Sequence, residues 1–463
     1  MSQTFLDLPL ELLPVIMQQL VRPSHFAALC LVNKAFYTFA IPYLYERAFI
    51  YAWHKEGKAK VVRLFRTLSS CPHLAKHVQR LEIRDFPKSF YVVEHEATLQ
   101  LCLSGIKNCV NLRSCTWTRD GSLTTEILEA LLPCAHLEEL EINGNHENYY
   151  DPWLLRKFTH LRRISLIMPR HAVTDVLPTW TSATGGVLRH LTILCKTPGT
   201  INDAILQEMA PNIPNVERLY IAGCVKVTEH GIWAIIAQNT HGLLALGMEG
   251  LSPSFDMANF SDLCARHNAL ARLRSITLTV DGSPTWKTDV LSLLHPAPLE
   301  QFHISTIGGD VGPAFGEEFC NAIVDRHGRR LRRFSVHRLR MNLASVNYIC
   351  RGCEQLEQLF VVIEQGSLGK LGPILAQARG LRAVHVNRPL DLGSEDVPMI
   401  ARDQILSIVK QSGPNLMQFG YNTRVFQVER IVRKKEDGSL ESETRLGPYE
   451  SPEVPEQFLV VRT

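Results

Sequence analysis

The sequence has no run of about 20 apolar residues, so no segment is expected to cross a bilayer as a helix. It has no excess of either charge. The 49 Lys and Arg face 46 Asp and Glu, leaving a net charge of +3 and no field that would draw nucleic acid or an anionic membrane. The first seven residues carry no basic region and already include the carboxylate of Asp7. A secretory leader is therefore not expected, and the reading places the chain in the cytoplasm or nucleus. The acceptor-like Asn259-Phe-Ser261 then has no glycosylation to receive. A glycine-rich phosphate loop, a nucleophile elbow and a His/Glu zinc motif are all missing, so neither a cofactor nor intrinsic catalysis is expected.

Cysteine is present, 12 times, but not in a pattern that staples or chelates. Cys71, Cys109, Cys134 and Cys353 each precede a leucine by three positions, at Leu74, Leu112, Leu137 and Leu356. That recurrence marks one spot of a repeating unit, where a small buried residue fits. Cys350-Arg-Gly-Cys353 has no second pair and no spaced histidines to complete four ligands, so no metal site is expected.

What the sequence does have is an internal repeat. An apolar residue, two polar or small ones, then apolar–x–apolar recurs thirteen times. The first copies are Val78-Gln-Arg-Leu81-Glu-Ile83, Leu112-Arg-Ser-Cys115-Thr-Trp117 and Leu137-Glu-Glu-Leu140-Glu-Ile142; the last is Leu416-Met-Gln-Phe419-Gly-Tyr421. Central residues from Leu81 to Phe419 are spaced by 24 to 35 positions, with a mean near 28. The residue between the last two apolar positions is never aliphatic. It reads Glu82, Thr116, Glu141, Ser165, Thr192, Tyr220, Gly247, Thr277, His303, Ser335, Phe360, His385 and Gly420. Period-two alternation of this kind predicts a short strand with one wet face.

Between the strands the sequence predicts helices with polar caps: Thr124, Asn202 and Thr228 each precede an apolar-periodic stretch. Glu317 to His327, Leu343 to Cys350 and Asp403 to Lys410 read the same way. The predicted class is α/β, a curved leucine-rich-repeat solenoid with strands on the concave side and helices on the convex side.

The first 50 residues do not share the period. Pro9 opens an amphipathic stretch in which Leu12, Ile16 and Leu20 are expected on one face. Ser24 is a plausible cap for a second helix through Tyr37, and Ile41-Pro-Tyr-Leu-Tyr45 forms a third segment. So short a module, this rich in apolar residues, needs a surface to dock on.

Leu8-Pro9-Leu10-Glu11-Leu12, Ile16, Leu20, Leu29, Val32-Asn-Lys34, Phe36 and Pro42-Tyr-Leu-Tyr45 together resemble the F-box, in the form common in fungal F-box/leucine-rich-repeat proteins. Phe36 departs from the tryptophan of many F-boxes while keeping a large aromatic. The segment around Cys224 likewise resembles the cysteine-containing repeats of that family. Residues 423–463 read as a C-terminal β cap, and the resemblance implies residues 1–50 as the box and 51–422 as the solenoid. It also implies a substrate receptor that binds a Skp-family adaptor, and through it a cullin-based ubiquitin ligase. Carried over by position, Leu8, Pro9, Leu12, Ile16, Leu20, Leu29 and Val32 would face the adaptor. A passive repeat scaffold, or an F-box protein working outside any ligase, is the rival reading.

Two further expectations concern the C-terminal half. Flanking positions in the late strands would offer His303, His337, Phe360, Val362, His385 and Asn387 to a protein substrate, with Phe360 and Val362 as exposed apolar groups. Arg424 to Arg433 and Ser439 to Leu446 alternate around Asp437-Gly438 and predict a hairpin cap, followed by a last strand at Phe458 to Arg462.

Overall fold

A computed structural model of the chain describes residues 9, 11–20, 22–51, 54, 56–86, 92–195, 199–280, 282–306, 315–389, 400–434 and 439–449. Leu8 and the strand expected at Phe458 to Arg462 lie outside these residues. The chain divides into two compact units, Met1–Val216 with Gln238–Thr240, and Glu217–Ala237 with His241–Tyr449. They are called the first and second unit below.

Both are built from the repeat. In the first unit β1 (Arg47–Ile50), β2 (Arg80–Ile83), β3 (Ser114–Trp117), β4 (Glu139–Asn143), β5 (Arg163–Ile167) and β6 (His190–Leu194) pair in parallel in sequence order. In the second, β7 (Arg218–Ala222), β8 (Ala245–Glu249), β9 (Ser275–Val280), β10 (Gln301–Thr306), β11 (Arg333–His337), β12 (Gln358–Val362), β13 (Ala383–Asn387) and β14 (Gln418–Tyr421) do the same. The thirteen sequence copies are β2 to β14. Their paired apolar residues, such as Leu81 and Ile83 or Leu219 and Ile221, are buried. The residue between them falls into register from strand to strand: Glu82, Thr116, Glu141, Ser165 and Thr192 in the first unit, Tyr220 through Gly420 in the second. The architecture is that of a leucine-rich-repeat array.

The return segments start where their caps predict. Thr124 Oγ1 accepts the N–H of Ile127 at 3.4 Å, and Asn202 Oδ1 that of Ile205 at 3.1 Å. Helices Glu317–His327, Leu343–Gly352 and Arg402–Gln411 follow the sequence reading closely. The second unit ends in an antiparallel hairpin, β15 (Arg424–Lys434) and β16 (Leu440–Pro448), which pairs its first strand with β14.

Strand entry is fixed by a recurring backbone device. The carbonyl of Glu217 accepts the N–H groups of both Leu244 and Ala245, one repeat later. Leu244, Arg274, Glu300, Arg332, Glu357 and Arg382 repeat this step for step. Five of these positions alternate in charge, Arg274, Glu300, Arg332, Glu357 and Arg382, with ion pairs of 3.3 Å for Arg274–Glu300 and 2.6 Å for Arg332–Glu357.

Two boundaries differ from expectation. β1 lies inside the segment assigned to the N-terminal module and pairs with β2, so the array begins one strand earlier. The second helix of the module starts at Pro23, whose missing N–H suits the first turn, and stops at Cys30. Asn33 then caps a new helix by accepting the N–H of Phe36 at 2.9 Å, and this helix runs through Pro42 to Glu46. The expected third segment is thus the continuation of that helix.

Candidate functional site

The N-terminal module consists of α1 (Leu12–Met17), α2 (Pro23–Cys30) and α3 (Lys34–Glu46). Leu13, Met17, Phe26, Phe36 and Ala40 form its core, with Leu20, Leu29, Cys30, Phe39, Tyr43 and Leu44 packed against it. Phe36 is buried there, so the aromatic at this position does packing work, and Phe26 stacks on Tyr43 with centroids 5.6 Å apart. The two faces of α1 therefore split differently from the sequence expectation. Leu13 and Met17, four apart, point inward and Leu20 follows them. Leu12 and Ile16 point outward with Val15.

The outward set is apolar without being core. Val15 is 57% exposed, Val32 58% and Leu31 88%, and Leu12, Ile16 and Tyr37 are exposed too. Pro9 is exposed as well. Of the residues carried over from the resemblance, Pro9, Leu12, Ile16 and Val32 thus present surface, whereas Leu20 and Leu29 pack onto the module. Sequence reasoning missed Val15, Leu31 and Tyr37. Val15 was legible, being three positions from Leu12. Leu31 was not, because the predicted helix ran straight through it. So many exposed apolar side chains on so small a module are unusual for a surface that faces only water.

Directly after the module, a charged clamp ties the first two strands of the array. Arg47 at the head of β1 grips Glu82 on β2 with two hydrogen bonds, Nε to Oε1 at 2.6 Å and Nη2 to Oε2 at 3.0 Å. Tyr51 accepts from Arg47 at 2.7 Å and donates to Glu82 at 3.1 Å. Burial alone would raise the Glu82 carboxyl, but Arg47, Arg80 and Arg84 hold it below the ordinary carboxylate value.

In the second unit the strand face is more closed than the sequence suggested. Phe360 and Val362 are buried, as is His303, so the expectation of exposed apolar groups here is corrected. Strands lie about 4.8 Å apart, so long side chains on one strand roof over their neighbours on the next. The Phe360 ring stacks on His385, centroids 6.1 Å apart, and the His385 ring occupies the space over Gly420. His385 Nε2 donates to the carbonyl of Asn422 at 2.8 Å. His337, His385 and Asn387 remain half-buried.

A polar cluster unforeseen in the sequence fills the middle of this face. Tyr220 lies across Gly247 and donates its hydroxyl to the Glu249 carboxylate. Ser305 Oγ donates to Glu249 at 3.2 Å and sits 2.9 Å from Thr279 Oγ1. His303 has Ser335 Oγ 2.6 Å from Nδ1 and Glu249 3.7 Å from Nε2. Burial pushes the Glu249 carboxyl up to about 7, against the lowering effects of Ser305 and Arg338. Burial, then the charges of His337 and Arg333, pushes His303 down to about 3. At neutral pH the imidazole in the 3.7 Å contact is neutral, so the contact is no ion pair. The Ser335–His303–Glu249 chain is reminiscent of a hydrolase triad, but Ser335 and His303 are buried and an imidazole that titrates near 3 is a weak base. The Cys350 and Cys353 thiols are buried too and each pushed up to about 12, so neither is a nucleophile at neutral pH.

No protein-family model matches the chain, and no curated protein does. Among solved structures it is similar to the crystal structure of the Rad7 and Elc1 complex in yeast, at 12% identity over 77% of this chain and 72% of that one, with a TM-score of 0.35. It is also similar to the leucine-rich-repeat-containing protein LegL7 from Legionella pneumophila, at 9% identity over 65% of this chain and 90% of that one, with a TM-score of 0.33.

Proposed function

We propose that the chain is the substrate-recruiting adaptor of a Skp–cullin–F-box type ubiquitin ligase. The N-terminal module binds a Skp-family adaptor, the repeats bind the protein to be modified, and partners carry out ubiquitin transfer in the cytoplasm or nucleus. One observation carries this reading: the module completes its own core with Leu13, Met17, Phe26, Phe36 and Ala40 and still leaves Leu12, Val15, Ile16, Leu31, Val32 and Tyr37 in solvent. A helical cap that served only to close the array would have no use for that second apolar set. Apolar anchors on a preformed helical surface are where binding energy concentrates. The motif Leu8-Pro9-Leu10-Glu11-Leu12 adds the resemblance.

Co-expression with a Skp-family adaptor tests it. The native chain should co-purify with the adaptor, and Leu31→Asp/Val32→Asp, or Leu8→Ala/Pro9→Ala, should abolish co-purification without lowering the melting temperature. Undiminished capture by both variants would retire the reading and leave a passive scaffold.

A further inference from the structure

The structure assigns Glu249 as the anchor for a cationic side chain, lysine or arginine, of the protein bound on the strand face of the second unit. This inference rests on reading the repeats as a substrate-binding surface, and it names the chemistry that surface selects.

Glu249 ends β8 on the same face as Gly247. Because Gly247 has no side chain, the Tyr220 ring crosses it and brings a hydroxyl to the carboxylate. Ser305 supplies a second hydroxyl at 3.2 Å, and His303 approaches from β10 at 3.7 Å. All three are neutral groups. Among the described residues no lysine or arginine lies within ion-pair distance of this carboxylate, and the Arg338 charge acts on it only from farther away. A carboxylate offers about four lone-pair sites, so two hydroxyl donors leave room for an ammonium or guanidinium. The side chain is 13% exposed, which leaves it reachable from the strand face. Thr279 and Ser305 set further acceptor oxygens beside it for the remaining N–H groups of an incoming cation.

The titration agrees with the geometry. Tyr220 from β7 and Ser305 and His303 from β10 contact the carboxyl, the Arg338 charge reaches it from just beyond β11, and burial outweighs the lowering effects of Ser305 and Arg338 in raising it to about 7. An anion that is costly to keep ionised in the free protein gains most from a partner's cation, since a desolvated charge-assisted pair is worth more than one in water.

Ligand-observed NMR on the full chain at pH 8 tests this with three probes: the N-acetyl amides of arginine, lysine and citrulline. Citrulline keeps the shape of arginine without its charge. Arginine and lysine amides should bind, and the citrulline amide should bind at least about tenfold more weakly, the loss of one charge-assisted hydrogen bond. Glu249→Gln should erase the difference, and Tyr220→Phe, which removes a donor competing for the charge, should strengthen arginine binding. Equal binding of arginine and citrulline amides by the native chain overturns the assignment, and so does discrimination that survives in Glu249→Gln. Should the glutamine variant lose its circular-dichroism spectrum, Tyr220→Phe decides, and unchanged or weaker arginine binding overturns the assignment. Skp-adaptor capture by Glu249→Gln should stay at the native level. A native chain that captures the adaptor but binds arginine and citrulline amides equally removes the anchor alone, and a native chain that discriminates the cation but captures no adaptor removes only the ligase reading.

Discussion

Single residues in the strand column carry consequences that their type alone does not announce. Gly247 and Gly420 both stand where the preceding strand presents a ring, Tyr220 in one case and His385 in the other. A Cβ built at either position falls inside the van der Waals envelope of that ring. Gly247→Ala should therefore destabilise the protein by about 1–3 kcal/mol, the usual cost of overpacking, and should detach Tyr220 from Glu249. Gly186→Ala, with open space around the new methyl, should melt like the native chain. Thermal melts of the two variants side by side check this, and equal melting temperatures would contradict the packing described. Arg47 provides a second case at this scale. Arg47→Met strands the buried Glu82 carboxylate without its bidentate partner, and removing one side of a buried pair costs about 3–5 kcal/mol. An unchanged denaturant midpoint would show that the clamp is solvated after all.

At the scale of elements the sequence was most legible where the period was two. All thirteen copies fold as strands with the apolar pair inward, because a strand's alternation depends on nothing outside itself. Leu219→Asp should accordingly place an unpaired charge in the core and cost several kcal/mol, read as a lower urea midpoint. β1 escaped notice because its central position is the small Ala48 and its leading position is already helical, inside α3. The clusters of Glu249 and Phe360 were illegible for a different reason. One copy shows which face a side chain takes, and only neighbouring strands in register show whether another ring covers it. Helix faces sit between these extremes. Periodicity marked α1 as amphipathic but could not tell the inward pair Leu13 and Met17 from the outward Leu12 and Ile16. Leu13→Ala should cost about 2–5 kcal/mol, while Leu12→Ala should leave stability nearly unchanged, and paired melts would reveal an inverted assignment.

For the molecule as a whole, the shifted titratable groups of the second unit predict opposing trends below neutrality. His303 is pushed down to about 3, and His327 and His337 each to about 4, in every case mainly by burial. Their folded values lie below the unfolded value of about 6.5. The stability linked to them is complete above that value and is lost as pH falls toward 4 and then 3. Glu249 is raised instead, so its contribution is present below the ordinary carboxylate range and is lost as pH rises through about 7. Between the ordinary carboxylate range and neutrality the two effects oppose each other and three imidazoles outweigh one carboxyl, so thermal melts should fall as pH drops from about 6.5 to 4, and Glu249→Gln, which removes the opposing group, should steepen that fall. Melting temperatures that stay level down to pH 4 would mean that these imidazoles are wet.

The alternating charges along the strand-entry ladder impose a rule of parity on how this part of the chain can be lengthened or shortened. Cutting out the repeat that carries Arg332 would bring Glu300 beside Glu357, two carboxylates where the array now has an ion pair. Cutting out that repeat together with the one that carries Glu300 would bring Arg274 beside Glu357 and leave the alternation whole. Each exposed pair is worth about 1 kcal/mol or less, so the preference acts on relative fitness and not on whether the chain folds at all. Over the span from Arg274 to Arg382 the natural module of gain, loss or exchange is therefore a doublet of repeats, with the odd-numbered edit at a standing disadvantage.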